Sequence, residues 1–289
     1  MGWLKSSVAL YLSKMKQKAF LFLTINYLLL LSSCRNHIEV TTYWDASKKN
    51  IKERYEVLSR NTKVKDGPYE SYFKAGTLAS KFYYSQDNLQ DSGIIYNEQP
   101  YYKSEELHYK NGLRNGVRVL FYPNGKWKII EHYQQDKLEG EYMRYDEEGK
   151  LLEHGQFHQG QMHGLWNFYY ANSTQIKERV HFKDGQEMGY YESFYLNGNK
   201  KSDGYYKGED NMDSIWHLYY ETGELMEDAI YKDNWENGLV HTYDKDKKVT
   251  KEILYNKGKV VKYSDFVKNV FTAHPENAAV PSPPLDNGE

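Results

Sequence analysis

Apolar residues in this chain fall into short runs that alternate with polar ones, and a polar, glycine-bearing stretch separates one run from the next. The segment from Gly140 shows the pattern: Gly140-Glu-Tyr142-Met-Arg-Tyr145, then Asp146-Glu-Glu-Gly149, then Leu151-Leu-Glu-His-Gly155-Gln-Phe157. Alternation over a few residues predicts a half-buried strand, and two such runs across a polar turn predict a β-hairpin. The next segment reads the same way, with Gly164-Leu-Trp166-Asn-Phe-Tyr169-Tyr170, a turn at Ala171-Asn172-Ser173, and Ile176-Lys-Glu-Arg-Val180-His-Phe182.

The pattern is periodic. Counted from Gly116, the matching positions are Gly140, Gly164, Gly189, Ser214 and Gly238, in steps of 24, 24, 25, 25 and 24 residues. Five residues after each anchor stands an aromatic: Phe121, Tyr145, Tyr169, Phe194, Tyr219 and Tyr243. Position two holds Tyr69, Tyr142, Trp166, Tyr191 and Trp216, and position seventeen holds Tyr84, Tyr133, Phe157, Tyr206, Tyr231 and Tyr255. A fixed period in this range predicts a repeat array in which each unit packs mainly on its neighbours. In-register columns of aromatic and aliphatic residues stabilise a sheet through cross-strand pairs, each contributing ~0.2–1 kcal/mol. Turn positive φ is supplied by Asn124-Gly125, Asn197-Gly198 and Thr222-Gly223, while Asp184-Gly185 and Asn237-Gly238 read as joints between units.

Earlier units are looser. Asp66-Gly67-Pro-Tyr69-Glu-Ser-Tyr72 fits; a degenerate unit near Gly93 keeps Tyr96 and Leu107-His-Tyr109; Val40 to Tyr55 reads as a first partial hairpin across Asp45 to Asn50. The total is about nine hairpins, or eighteen strands. The consensus, Gly-x-Trp/Tyr-x-x-Tyr-Tyr-x-x-Gly-x-Leu followed by Tyr-Lys-x-Gly, resembles the MORN repeat in its bacterial variant form over residues 60–263. The resemblance implies an all-β fold: an elongated, twisted, single-layer antiparallel sheet of successive hairpins. It also implies antitoxin-like partners, because variant MORN proteins of bacteria are often described so. Ser214 and Ser173 depart from the glycine pattern, as does the unit near Gly93.

Both ends differ from the array. Residues 16–34 give a basic start, a short apolar run and Leu31-Ser32-Ser33-Cys34, the composition of a secretory signal. That tetrapeptide resembles the bacterial lipobox, which implies cleavage after residue 33 and acylation, by palmitate or a similar chain, at Cys34. Residues 1–14 then precede a more typical signal beginning at Met15, as an upstream start would leave them. Arg35, where an aspartate would retain the protein at the inner membrane, favours the outer membrane by the same resemblance. Residues 34–59 hold the lipidated cysteine and the partial hairpin. Near the other end, the spacing of Phe266, Val267, Val270 and Phe271 predicts a short capping helix over 264–272. Residues 273–289 carry four of the seven prolines and predict a disordered tail.

Composition narrows function. A net charge of −2 gives no nucleic-acid footprint, and Cys34 is the single cysteine, so no intrachain disulfide forms. With 29 tyrosines and few aliphatic residues, the core must be largely aromatic. His154, His158 and His163 lie close in sequence, but a metal site would need them to converge with a fourth ligand. His158 and His163 flank the joint between units while His154 lies further along the sheet, and no metal or cofactor is expected. Carboxylates such as Glu139, Glu141, Glu147 and Glu153 are abundant without a cleft to pair them for catalysis. No nucleophile elbow or phosphate loop is present, and the chain reads as non-enzymatic. The expected function is a membrane-anchored protein-binding scaffold in the cell envelope, antitoxin- or immunity-like, with an unknown protein, a toxin among the classes considered, as partner. The alternative is a cell-wall or carbohydrate-binding module. Either would use exposed rings, and the candidates are Tyr142, Trp166, Tyr169, Tyr191, Trp216 and Tyr219.

Overall fold

The computed structural model describes residues 37–208 and 211–263. Among them the chain forms one open antiparallel sheet of 21 strands in which the full-length strands pair successively along the chain. Nineteen of these are full strands, one more than the expected eighteen, and the other two have a local cause. Leu113–Arg114 and Lys137–Leu138 are two-residue openings of the strands Gly116–Phe121 and Gly140–Tyr145, interrupted at Asn115 and Glu139, whose amides still reach the neighbouring strand at His108 O and His132 O. The first hairpin pairs His37–Tyr43 with Ile51–Leu58 and closes across Asp45–Asn50, as the sequence indicates. Signal segment, capping helix and tail, expected over 1–33, 264–272 and 273–289, lie outside the described residues.

Each unit contains two kinds of turn, and only the first is prominent in the sequence. At the outer tips, Tyr122 N donates to Lys126 O and Tyr195 N to Asn199 O, with Gly125 and Gly198 at positive φ. At the joints the turn has two residues, both at positive φ: Gln86-Asp87, Gln135-Asp136, Asp184-Gly185 and Asp233-Asn234 among them. This is the type I′ geometry that matches strand twist. Three of the seven such joints among the described residues contain no glycine, which hides them in the sequence. Asn237-Gly238, expected as a joint, instead lies inside the strand Trp235–Tyr243; the joint before it is Asp233-Asn234.

The anchor column is a second place where the backbone turns left-handed. Gly116 (φ 124°), Gly140 (φ 103°) and Gly189 (φ 105°) sit there, as does Ser214 at φ 65°. The anchor of the degenerate unit is Asp91, at φ 59°, and not Gly93. Aspartate is among the few non-glycine residues that tolerate this region. Gly93 therefore falls in position two, the column that carries tyrosine or tryptophan elsewhere.

Successive tips are tied by tyrosine hydroxyls. Tyr122, Tyr170, Tyr195 and Tyr220 each donate to a backbone carbonyl one unit ahead, at Tyr145, Phe194, Tyr219 and Tyr243, over 2.9, 2.7, 2.8 and 2.8 Å. The run breaks where the same position holds Asp146. Position six of the repeat thus bonds one hairpin to the next, which explains the Tyr-Tyr doublet.

The two faces differ. On one, positions two and seventeen form an aromatic ladder. Tyr142 packs edge-on to Phe157 at 5.3 Å, Phe157 to Trp166 at 5.2 Å, and Trp166 to Phe182 at 6.2 Å. Tyr191, Tyr206 and Trp216 repeat the arrangement at 5.6 and 5.0 Å. A single layer can bury such rings because each lies over a glycine of the preceding hairpin. A Cβ on Gly155 would stand 2.2 Å from Trp166 Cδ2, and one on Gly204 would stand 2.1 Å from Trp216 Cδ2. Trp166 is left 2% exposed and donates Nε1–H to Gln156 O at 3.1 Å. Val180, Ala229, Val240 and Ile253 complete this interior.

The ladder is interrupted at Gly116–Gln134. Position two there is Arg118, and its cross-strand partner, where other units place Gly155 or Gly204, is Glu131. Arg118 Nε donates to Glu105 at 2.7 Å and Nη1 to Glu131 at 2.6 Å, while Tyr133 OH also donates to Glu131 at 3.0 Å. Burial alone would lower the guanidinium pKa; the two carboxylates outweigh it and raise it further.

Candidate functional site

The opposite face is built from odd positions of the first strand and even positions of the second, because successive side chains point to opposite sides of a strand. Positions one and sixteen face each other: Val117 pairs with His132, Glu141 with Gln156, Tyr190 with Tyr205, and Ile215 with Ile230, while Leu165 pairs with His181, position seventeen in a unit whose tip is one residue longer. The row changes character along the array. From Ser92 to Gln156 it is largely polar, with His108 and His132 bonded through Nδ1 to backbone carbonyls at 2.9 and 2.8 Å. From Leu165 onward it becomes apolar and exposed: Leu165, Tyr190, Tyr205, Ile215, Ile230 and Leu239, with Ile215 50% exposed. The strands beneath are paired on both sides, so the surface offers side chains and no free backbone edge.

Beside this row, positions fourteen, three and five bring chemistry together. Asp203 is buried, and its cross-strand partner is His217. His217 Nδ1 lies 2.6 Å from Asp203 Oδ1, Tyr219 OH donates to Oδ2 at 3.2 Å, and Lys200 Nζ donates to Oδ2 at 2.7 Å. Lys200 also bridges to Glu192 at 3.0 Å and to Tyr190 OH at 3.3 Å. Burial would push the Asp203 carboxyl up, but the hydrogen bonds from Lys200 and His217 hold it below the usual carboxylate range. The Tyr219 hydroxyl is pushed up to about 12, by burial first and the Asp203 charge second. Asp203, His217 and Tyr219 floor an open depression of about 390 Å³, walled by Tyr190, Tyr205 and Ile215.

One unit further the same three positions repeat the arrangement. His241 Nδ1 lies 2.6 Å from Asp228 Oδ1, Tyr243 OH donates to Asp228 Oδ2 at 2.8 Å, and His241 Nε2 lies 3.2 Å from Glu252. Earlier units carry other residues there, such as His154 with Asn167, or Arg179 with Glu192. The Asp–His–Tyr set thus belongs to the last units alone among those described.

The sequence candidates divide between the faces. Trp166 and Trp216 are buried in the ladder, with Tyr142 and Tyr191 half-buried beside them, so this column is interior and not a displayed platform. Burial also pushes the Tyr142 hydroxyl up to about 12. Tyr169 and Tyr219 are half-buried on the opposite face, and Tyr219 joins the Asp203 cluster. The histidines of 154–163 engage local carboxylates: His154 with Glu141 at 3.1 Å and His158 with Glu139 at 2.9 Å. Asp203, His217, Tyr190, Tyr205 and Ile215 were missed, since only the strand register brings them together.

Comparison with known proteins is consistent with the repeat. The MORN repeat variant family model matches residues 114–135 and 138–159. No curated protein matches. A crystal structure of TcdB2-TccC3-TEV is similar at 13% identity with a TM-score of 0.20, covering 79% of this chain and 14% of that one. One of TcdB2-TccC3-Cdc42 is similar at 12% identity with a TM-score of 0.15, covering 76% and 13%. The chain thus spans about one seventh of those proteins.

Proposed function

We propose that this chain is a non-catalytic recognition scaffold for a protein partner, tethered to a membrane of the cell envelope through a lipidated Cys34. The observation that carries the reading is the one-sided row Leu165–Tyr190–Tyr205–Ile215–Ile230–Leu239. Large apolar residues stand exposed in register on one face over the last units, whereas in the earlier units Tyr83 stands without such a run. Contiguous exposed patches of this kind mark interaction sites, and tyrosine is a preferred interface anchor. MORN repeats on two adjacent units support a repeat scaffold. Only Arg35 and Asn36 separate Cys34 from His37, the first strand residue among those described, so at most about 11 Å of backbone lies between the acylated cysteine and the array. The antitoxin-like resemblance names a secreted toxin as the partner class, with immunity as the role, and Arg35 favours the outer membrane.

The test uses the full-length chain, cross-linked in cells and recovered from membranes. Ile230→Asp with Leu239→Asp places two charges in the row at exposed positions, so the fold should persist while recovery of the cross-linked partner falls about tenfold or more. Cys34→Ala should leave partner binding intact and move the chain out of the membrane fraction. Unchanged partner recovery by the double aspartate variant contradicts the assignment of the row, and retention of Cys34→Ala in membranes contradicts the tether.

A further inference from the structure

The depression over Asp203 has features that a protein-binding surface does not require. The charges at its base are already engaged: Lys200 bridges Asp203 and Glu192, and His217 lies against Asp203. A cationic group from a partner would have to displace Lys200, and an anionic one would meet two carboxylates. What the floor offers is a fixed set of acceptors and donors. The carboxylate oxygens of Asp203 are held by three neighbours, and His217 Nε2 is the ring nitrogen directed away from Asp203. Tyr190 and Tyr205, 45% and 49% exposed, present ring surface beside that floor. Hydroxyl groups spaced along an otherwise apolar ring face fit such a surface: hydroxyls bond to the preorganised floor, and C–H faces lie on the tyrosines.

The second Asp–His–Tyr set, Asp228–His241–Tyr243, repeats the Asp–His–Tyr contacts two strands along, with His241 Nε2 engaged by Glu252 and with Ile215 and Ile230 where the first has Tyr190 and Tyr205. Two strand spacings make a step of about 10 Å. That is the length of a disaccharide in an extended β-linked glycan. From these two floors we infer a neutral-glycan site: an extended, β-linked sugar chain lies across the strands, with one ring over Asp203–His217 between Tyr190 and Tyr205 and another, a disaccharide on, over Asp228–His241.

This site shares Tyr190, Tyr205, Ile215 and Ile230 with the protein-partner row, and its test therefore uses different variants and different ligands. The full-length protein in detergent is titrated with chitohexaose, cellohexaose, maltohexaose and cellobiose, following intrinsic tyrosine and tryptophan fluorescence and ligand-observed NMR saturation transfer. The β-linked hexasaccharides are expected to bind at least tenfold more tightly than cellobiose, which reaches one floor only, and more tightly than α-linked maltohexaose. Preference between chitohexaose and cellohexaose tells N-acetylated wall glycan from unsubstituted polysaccharide. Tyr205→Ala, at an exposed position, should weaken binding about tenfold or more while leaving the thermal transition unchanged, and His217→Gln, which keeps a hydrogen-bonding side chain, should weaken it less. Absence of binding by all four sugars, or binding indifferent to Tyr205→Ala, overturns the site. Equal affinity for cellobiose and cellohexaose overturns the two-floor arrangement. If sugars fail while Ile230→Asp with Leu239→Asp still abolishes partner recovery, the glycan site falls and the protein scaffold stands.

Discussion

Trp166→Ala is expected to destabilise the array by ~3–5 kcal/mol, the range for removing a fully buried large aromatic. The ring is 2% exposed, touches Tyr142, Phe157, Phe168 and Phe182, and covers Gly155. Its removal opens a void in a layer one side chain deep, where little surrounding structure can collapse into it. The loss should exceed that of Trp216→Ala, because Trp166 Nε1 has an acceptor at Gln156 O whereas Trp216 Nε1 is buried without one among the described residues. In a repeat array stability depends on each unit and on its contact with the next. The damage should therefore be local: hydrogen exchange should rise across strands 151–183 and much less beyond Leu225. Uniform loss of protection, or a loss below ~1 kcal/mol in urea unfolding, contradicts the interior assignment of this column.

Arg118→Met should be of similar size for the opposite reason. Glu105 and Glu131 are 17% and 8% exposed at their side chains, and Arg118 is the cation held by both. Removing one member of a buried ionic cluster leaves uncompensated charge, at a cost of ~3–5 kcal/mol. The array also indicates how to undo the damage. Arg118→Tyr with Glu131→Gly and Glu105→Ile installs the set that the next unit uses, Tyr142 with Gly155 and Ile129. That triple variant should return to within ~1–2 kcal/mol of the starting protein or exceed it, since well-packed apolar replacements of buried ion clusters are often neutral or stabilising. Thermal and urea melts of the two variants decide it. A triple variant as unstable as Arg118→Met would mean that the cluster has a structural role beyond filling position two.

Much of the architecture is legible in the chain because it depends on residue identity at fixed intervals. The anchors, the tip turns and the columns at positions two and seventeen all follow from the 24-to-25-residue beat. The degenerate unit was misplaced by two residues because glycine was sought as the anchor, whereas Asp91 adopts the same left-handed backbone. The face assignment was harder. Tryptophan at position two suggests a displayed ring, but the deciding signal is small and distant: Gly155 and Gly204, on the preceding hairpin, provide the hollow each tryptophan fills. The displayed residues, by contrast, are the less conspicuous neighbours Leu165 and Ile215, one position earlier. The Asp–His–Tyr sets escape any local motif, since Asp203 and His217 meet only through the register of adjacent strands, on the far side of a joint.

The central claim is that one face of the sheet is an aromatic interior and the other is the recognition surface. Hydroxyl-radical footprinting of the native full-length chain, read residue by residue by mass spectrometry and normalised to the urea-unfolded chain, tests it without any substitution. Fast oxidation is predicted at Leu165, Tyr190, Tyr205, Ile215 and Leu239, strong protection at their neighbours Trp166, Trp216 and Val240, and slower oxidation of the half-buried Tyr191 than of Tyr190. Equal oxidation within those neighbouring pairs, or protection of Ile215 with oxidation of Trp216, would contradict the account.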